Sequence, residues 1–150
     1  MIKDNIYKFL DEVKVYDCGF HKIRIGNKSD GGYVAIDEIC HQTKTLYSCG
    51  IDDNVTFEID FVKKYSHSKV KLFDHTIDHL PQNHPNFTFI KKGIGPQTTQ
   101  QFDSLPLLLD DEVGNITLKM DIEWDEWKTL LSLSPSHFDK IDQLLVEFHV

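Results

Sequence analysis

Thr45-Leu46-Tyr47-Ser48-Cys49-Gly50-Ile51-Asp52-Asp53-Asn54 runs from a short apolar segment through a single glycine to two carboxylates and a helix-capping residue. The spacing predicts a strand over Thr45 to Ser48. Beyond the turn, Val55, Ile59, Phe61, Val62 and Tyr65 supply the apolar face of a helix, with Asn54 placed to cap its start. Strand, tight turn and amphipathic helix together make one βα unit, and the chain repeats the pattern. Further strands are predicted at Val70 to Phe73, more weakly at Thr88 to Lys91, at Ile116 to Met120, and at Gln143 to Phe148. Between the third and fourth, Asp103 or Ser104 followed by Pro106 and the leucines to Leu109 predicts a short capped helix. Trp127, Leu130 and Leu131 mark a helix after the fourth strand, stopped at Ser134-Pro135. The expectation is an α/β fold: a Rossmann-like open parallel sheet, order 3-2-1-4-5 in these five strands, with helices on both faces.

Upstream, Ile2, Ile6, Phe9, Leu10 and Val13 recur at helical spacing and predict an N-terminal brace. Phe20 to Ile25 alternates apolar with polar, Asn27 to Gly32 is a polar glycine-containing turn, and Tyr33 to Ile36 completes a hairpin-like unit. The 150 residues are read as one domain, with 1–43 as helix and hairpin and 44–150 as the Rossmann-like core. With 40% apolar and 27% charged residues, composition is that of a soluble globular protein. No run is apolar enough for a bilayer, and the charged N-terminus lacks a secretory signal, so a cytoplasmic location is expected. Cys18, Cys40 and Cys49 contain no CxxC pair and are expected to be free thiols. A net charge of -8 argues against nucleic acid and anionic membrane as partners, and the small cluster of Lys22, Arg24 and Lys28 reads as solvated charge.

Ligands of open parallel sheets bind outside the carboxyl ends of the strands, so the residues that follow each strand carry the functional reading. A dinucleotide site needs a GxGxxG turn for close approach of pyrophosphate. The Ser48-Cys49-Gly50-Ile51 turn has one glycine, and Asp52 and Asp53 would repel phosphate where it should sit. S-adenosylmethionine carries a sulfonium and an ammonium and no phosphate, which suits an acidic loop. The plainer account is that the two aspartates complement the helix dipole. Asp74 ends the second strand, about 24 positions after Gly50, near the spacing at which an acid meets ribose hydroxyls; alone, such a residue is more often a turn former. After the third strand, Lys92-Gly93-Ile94-Gly95 leaves room for a flat adenine ring or forms a simple turn. The fourth strand is followed by Asp121, Glu123, Asp125 and Glu126, and the fifth by His149, a base of the right kind to serve beside them.

Asp30-Gly31-Gly32-Tyr33, Leu46-Tyr47-Ser48-Cys49-Gly50 with Phe57-Glu58, Leu72-Phe73-Asp74, Leu118-Lys119-Met120-Asp121-Ile122-Glu123 with Glu126-Trp127, and Gln143 to His149 follow one another along the chain. In this order they resemble the FkbM-type and related methyltransferase-like proteins of the class I S-adenosylmethionine-dependent superfamily, over Ile23 to His149. The resemblance implies that the Ser48 to Ile51 loop lies along the cofactor, that Asp74 holds its ribose, and that Asp121 with Glu123 faces the methionine end or the acceptor. It departs at Trp124, where such proteins often carry glycine. It also lacks the usual C-terminal antiparallel strand pair, which suggests a fragment or minimal variant and an edge strand open to association with a second copy.

The resulting expectation is an S-adenosylmethionine-dependent methyltransferase acting on a small-molecule or sugar hydroxyl, the acceptor class coming from the resemblance. Catalytic candidates are Asp121, Glu123 and His149, with His149 or Asp121 as general base. Cofactor-binding candidates are Ser48, Cys49, Gly50, Ile51, Asp74, Gly93, Ile94 and Asp121. No metal is assigned, although Asp121, Glu123 and Asp125 are hard oxygen ligands whose i, i+2 spacing fits either magnesium or an exposed strand end. His75, His79 and His84 lack a ligand spacing and read as loop histidines facing water. The rivals are a non-catalytic nucleoside-binding module and a nicotinamide-dependent oxidoreductase, the latter disfavoured by the missing glycines.

Overall fold

Every residue of Thr45–Cys49 and of Ile116–Met120 is buried, as the central strands of a parallel sheet covered on both faces must be. A computed structural model describes residues 14–149. The N-terminal helix expected over residues 1–13 lies outside the described residues.

A hairpin comes first, β1 (Lys22–Gly26) paired antiparallel with β2 (Gly32–Ile36), and α1 (Asp37–Gln42) follows directly. The main sheet takes β3 (Thr45–Cys49), β4 (Lys69–Phe73), β5 (Phe87–Ile90), β8 (Ile116–Met120) and β9 (Ile141–Val146), all parallel. Counted over all the strands of the chain, the order is β5-β4-β3-β8-β9 rather than 3-2-1-4-5. The labels differ because the hairpin adds two strands ahead of the sheet. A small parallel pair, β6 (Gly93–Gly95) and β7 (Phe102–Ser104), adds two more between its third and fourth members. Neither strand is expected from the sequence: two of the three β6 residues are glycines, which have poor strand propensity, and β7 lies where Asp103 or Ser104 is expected to cap a helix.

Helix α2 (Thr56–Lys64) connects β3 to β4 and packs Phe57, Ile59, Phe61 and Val62 with Leu46, Val70 and Leu72 on one face of the sheet; the hairpin residues Ile25 and Ala35 join the same cluster. On the other face, α3 (Leu105–Asp110) buries Leu105 and Leu109 against Tyr47, Cys49, Phe73, Ile116, Leu118 and Met120, with Leu130 of α4 (Glu126–Leu131) beside them. Helices therefore cover both faces. The N-cap of α2 is Val55, one residue later than expected; Asn54 still serves the helix start, its Oδ1 accepting from the Thr56 amide at 3.0 Å and hydroxyl at 2.7 Å. Helix α4 ends at Leu131 with Ser132 as its C-cap, ahead of the expected stop at Ser134-Pro135, and those two residues instead open α5 (Pro135–Phe138), with Ser134 and His137 forming a reciprocal cap. Among the described residues no helix is long and apolar enough to cross a membrane.

All three cysteines are free, Cys40 and Cys49 buried in the two cores and Cys18 exposed. Burial pushes the Cys49 thiol up to about 12 and raises that of Cys40 as well. A thiol-reactive chromogenic disulfide should therefore titrate one cysteine quickly in the native chain and three in guanidinium; two or more fast thiols under native conditions would contradict this packing.

Candidate functional site

The carboxyl ends of β3, β4 and β8 open onto a cavity of about 500 Å³, within the roughly 300–1,000 Å³ typical of small-molecule sites. Its shape begins with Gly50. This residue sits at φ +81°, and a Cβ built on it would lie 1.6 Å from the carbonyl oxygen of Asp121. Only glycine permits both that backbone conformation and that approach. The ends of β3 and β8 are thus drawn together, with the Asp121 amide donating to the Cys49 carbonyl at 3.0 Å.

Asp74 holds the loop that follows. Its Oδ2 accepts from the amides of Ile51 at 2.8 Å and Asp52 at 2.9 Å, and its Oδ1 accepts from the Thr76 amide at 2.7 Å and hydroxyl at 2.6 Å. A carboxylate has about four acceptor positions, and here protein donors take four. Burial raises its pKa, but the hydrogen bonds from Asp52, Thr76 and Ile51 outweigh that and hold it below the usual carboxylate range. Asp74 thus clamps the Ile51–Asp52 backbone at the cavity wall. Asp52 and Asp53 are exposed, line the cavity and carry no side-chain hydrogen bond among the described residues.

Beneath the cavity lies a buried charged group. Lys119 on β8 donates to the Gly50 carbonyl at 2.9 Å, stands 3.6 Å from Glu58 of α2, and lies 5.3 Å from the centre of the Tyr33 ring. Glu58 accepts from the Ser48 hydroxyl, and its Oε2 has no hydrogen-bond partner among the described residues. Tyr33 of the hairpin donates to Asp121 Oδ2 at 3.0 Å, and its own pKa is raised, first by burial and then by Asp121. Glu58 and Lys119 were missed from the sequence, although each leaves a signal there. Glu58 falls on the apolar stripe of α2, at i+3 from Val55, and Lys119 stands inside a fully buried strand. Two opposite charges at core positions imply a pair.

At the mouth, His149 lies beyond β9 with Nδ1 3.0 Å from Glu126 Oε1, while Nε2 faces Glu123 Oε2 at 3.5 Å and Asp121 Oδ1 at 3.9 Å. The hydrogen bond to Glu126 raises the histidine pKa, with the charges of Glu123, Glu126 and Asp121 adding to it against burial. Glu126, one of the four acids that follow the fourth strand but not one of the expected site residues, is fully buried and accepts the Ile122 amide at 2.9 Å. Burial pushes Glu126 up, yet those two hydrogen bonds hold its pKa below the ordinary value.

Of the expected residues, Gly50, Ile51, Asp74, Gly93, Ile94, Asp121, Glu123 and His149 all line the one cavity. Ser48 and Cys49 do not. Ser48 turns its hydroxyl to Glu58, and Cys49 points into the opposite core, because successive strand side chains face opposite sides of a sheet. Gly93 lies under the Phe102 ring, where a Cβ would come within 2.6 Å. His75 lines the cavity against that same ring, whereas His79 is exposed away from it and His84 accepts the Asn86 amide at 3.2 Å. Asp125 pairs with Lys128 at 2.8 Å and is not among the cavity residues. Seven carboxylates, of Asp30, Asp52, Asp53, Asp74, Asp121, Glu123 and Glu147, line the space against the single ammonium of Lys119.

No family model, curated protein or solved structure matches the chain.

The Asp74 clamp makes a test of the site's framework. Its pKa is lowered on folding, so it stabilises the native state above its unfolded value of about 3.9, and that stability fades as pH falls through the lower folded value. Asp74→Asn should cost about 2 kcal/mol at pH 7 by leaving backbone donors without acceptors. In urea unfolding the gap between parent and variant should narrow below pH 4; a gap that stays constant would contradict the clamp.

Proposed function

We propose that the chain is the nucleoside-binding core of an S-adenosylmethionine-dependent methyltransferase with a Rossmann-like sheet, transferring a methyl group to the hydroxyl oxygen of a small molecule or sugar. The supporting observation is the charge of the cavity: seven carboxylates and one buried ammonium at the strand ends. Such a lining repels pyrophosphate and suits a cationic nucleoside. Segments of the chain that resemble FkbM-type proteins also meet around this cavity, through the contacts of Tyr33 with Asp121, Glu58 with Lys119 and Glu126 with His149.

In this reading the Gly50–Asp53 loop, held by Asp74, carries the nucleoside, with the carboxylates of Asp52 and Asp53 free to accept from its hydroxyls. Gly93 and Ile94 flank the base. The acceptor enters beside Asp121, Glu123 and His149. Its oxygen attacks the methyl carbon as the carbon–sulfur bond breaks, the electron pair passing to sulfur to leave a neutral thioether. The hydroxyl proton goes to His149 or Asp121. The protein's contribution is alignment and proton removal, since the sulfonium already activates the carbon.

Calorimetry should give micromolar binding of S-adenosylhomocysteine and none of NAD. With an accepted hydroxyl substrate, Asp121→Asn should lower turnover at least 100-fold. Binding without turnover across a broad acceptor panel would instead assign a nucleoside-binding module, and preference for NAD would refute the proposal.

A further inference from the structure

We infer that Asp121, Glu123 and His149 form a binding site for a first-row divalent metal ion. One donor atom from each residue lies within 4.8 Å of the others. His149 Nε2 stands 3.5 Å from Glu123 Oε2 and 3.9 Å from Asp121 Oδ1. Both separations exceed the roughly 2.7–3.2 Å of a good hydrogen bond. Both fall inside the span of about 4.2 Å that two ligand bonds of about 2.1 Å to one ion can cover. Glu123, with its side chain 74% exposed, is free to turn through what distance remains.

The histidine is prepared from behind. Glu126, whose side chain has no exposure, accepts a hydrogen bond from Nδ1–H, and with the proton on Nδ1 the Nε2 lone pair is directed to the carboxylates. Metal-binding histidines characteristically donate their other nitrogen to a carboxylate in this way. The remaining Glu126 oxygen, Oε2, is buried without a hydrogen-bond partner among the described residues. Asp125 is excluded from the ligand set by its pairing with Lys128. One imidazole and two carboxylates favour manganese, iron or zinc over calcium. The site sits at the acceptor end of the proposed active site, so its catalytic meaning rests on that reading. As a ligand, His149 would no longer be available as the base.

Manganese titration of the full chain without any nucleoside tests the site independently of the methyltransferase reading. One saturable site is expected, with selective broadening of the His149 imidazole resonances at substoichiometric Mn²⁺. Asp121→Asn and His149→Ala should each weaken the ion at least tenfold, and Asp125→Asn should leave its affinity unchanged. Absence of saturable binding up to millimolar Mn²⁺, or binding that leaves the His149 resonances sharp, overturns the inference. The resonance measurement on the unaltered chain decides the matter if a variant fails to fold.

Discussion

The close approach of Gly50 to the Asp121 carbonyl is the constraint on which the site depends. Adjacent strands in a sheet normally run about 4.7–4.9 Å apart. At their carboxyl ends β3 and β8 are held together by the Asp121 amide on the Cys49 carbonyl and by Lys119 on the Gly50 carbonyl. The Gly50 amide meanwhile donates to Phe73 of β4 at 3.0 Å. Three strand ends thus converge on one residue. From there the backbone turns out through Ile51 and Asp52 into the grip of Asp74, and the cavity is the space left between that loop and the β8 terminus.

A buried ion pair beneath this junction links the layers. Withdrawing two charges from water costs several kcal/mol per ion, so Lys119 and Glu58 are weak evidence of stability in themselves. They do join helix α2, strand β8, the Gly50 turn and the Tyr33 ring in one contact, and Tyr33 continues it to Asp121. The hairpin is tied to the site through Tyr33. A second carboxylate system, Glu126 behind His149, does for the mouth of the cavity what Asp74 does for its loop.

The sheet was legible in the sequence because its strands are short apolar runs ended by Gly50, Asp74 and Asp121, residues whose chemistry differs sharply from the strand before them. Helix α1 was not, since six residues with Cys40 alone buried give no periodicity to read. The cavity residues were legible wherever position after a strand decides exposure, as for Gly50, Asp74, Asp121 and His149. Ser48 and Cys49 lie off the cavity because β3 runs on through Cys49, which turns the serine to Glu58 and the cysteine into the opposite core. The clamp made by Asp74 was not legible because it depends on amides brought round by the turn. Trp124 takes φ +77°. Glycine would fit that conformation without strain, whereas tryptophan bears a cost of roughly 1–2 kcal/mol.

The most direct measurement is the amide NMR spectrum of Gly50→Ala beside that of the unaltered chain. A methyl group cannot fit against the Asp121 carbonyl, so the account predicts shifts concentrated in residues 50–52, 74–76 and 119–123, with loss of protection at the Ile51 and Asp52 amides. A variant whose resonances in those three segments coincide with those of the parent would contradict it.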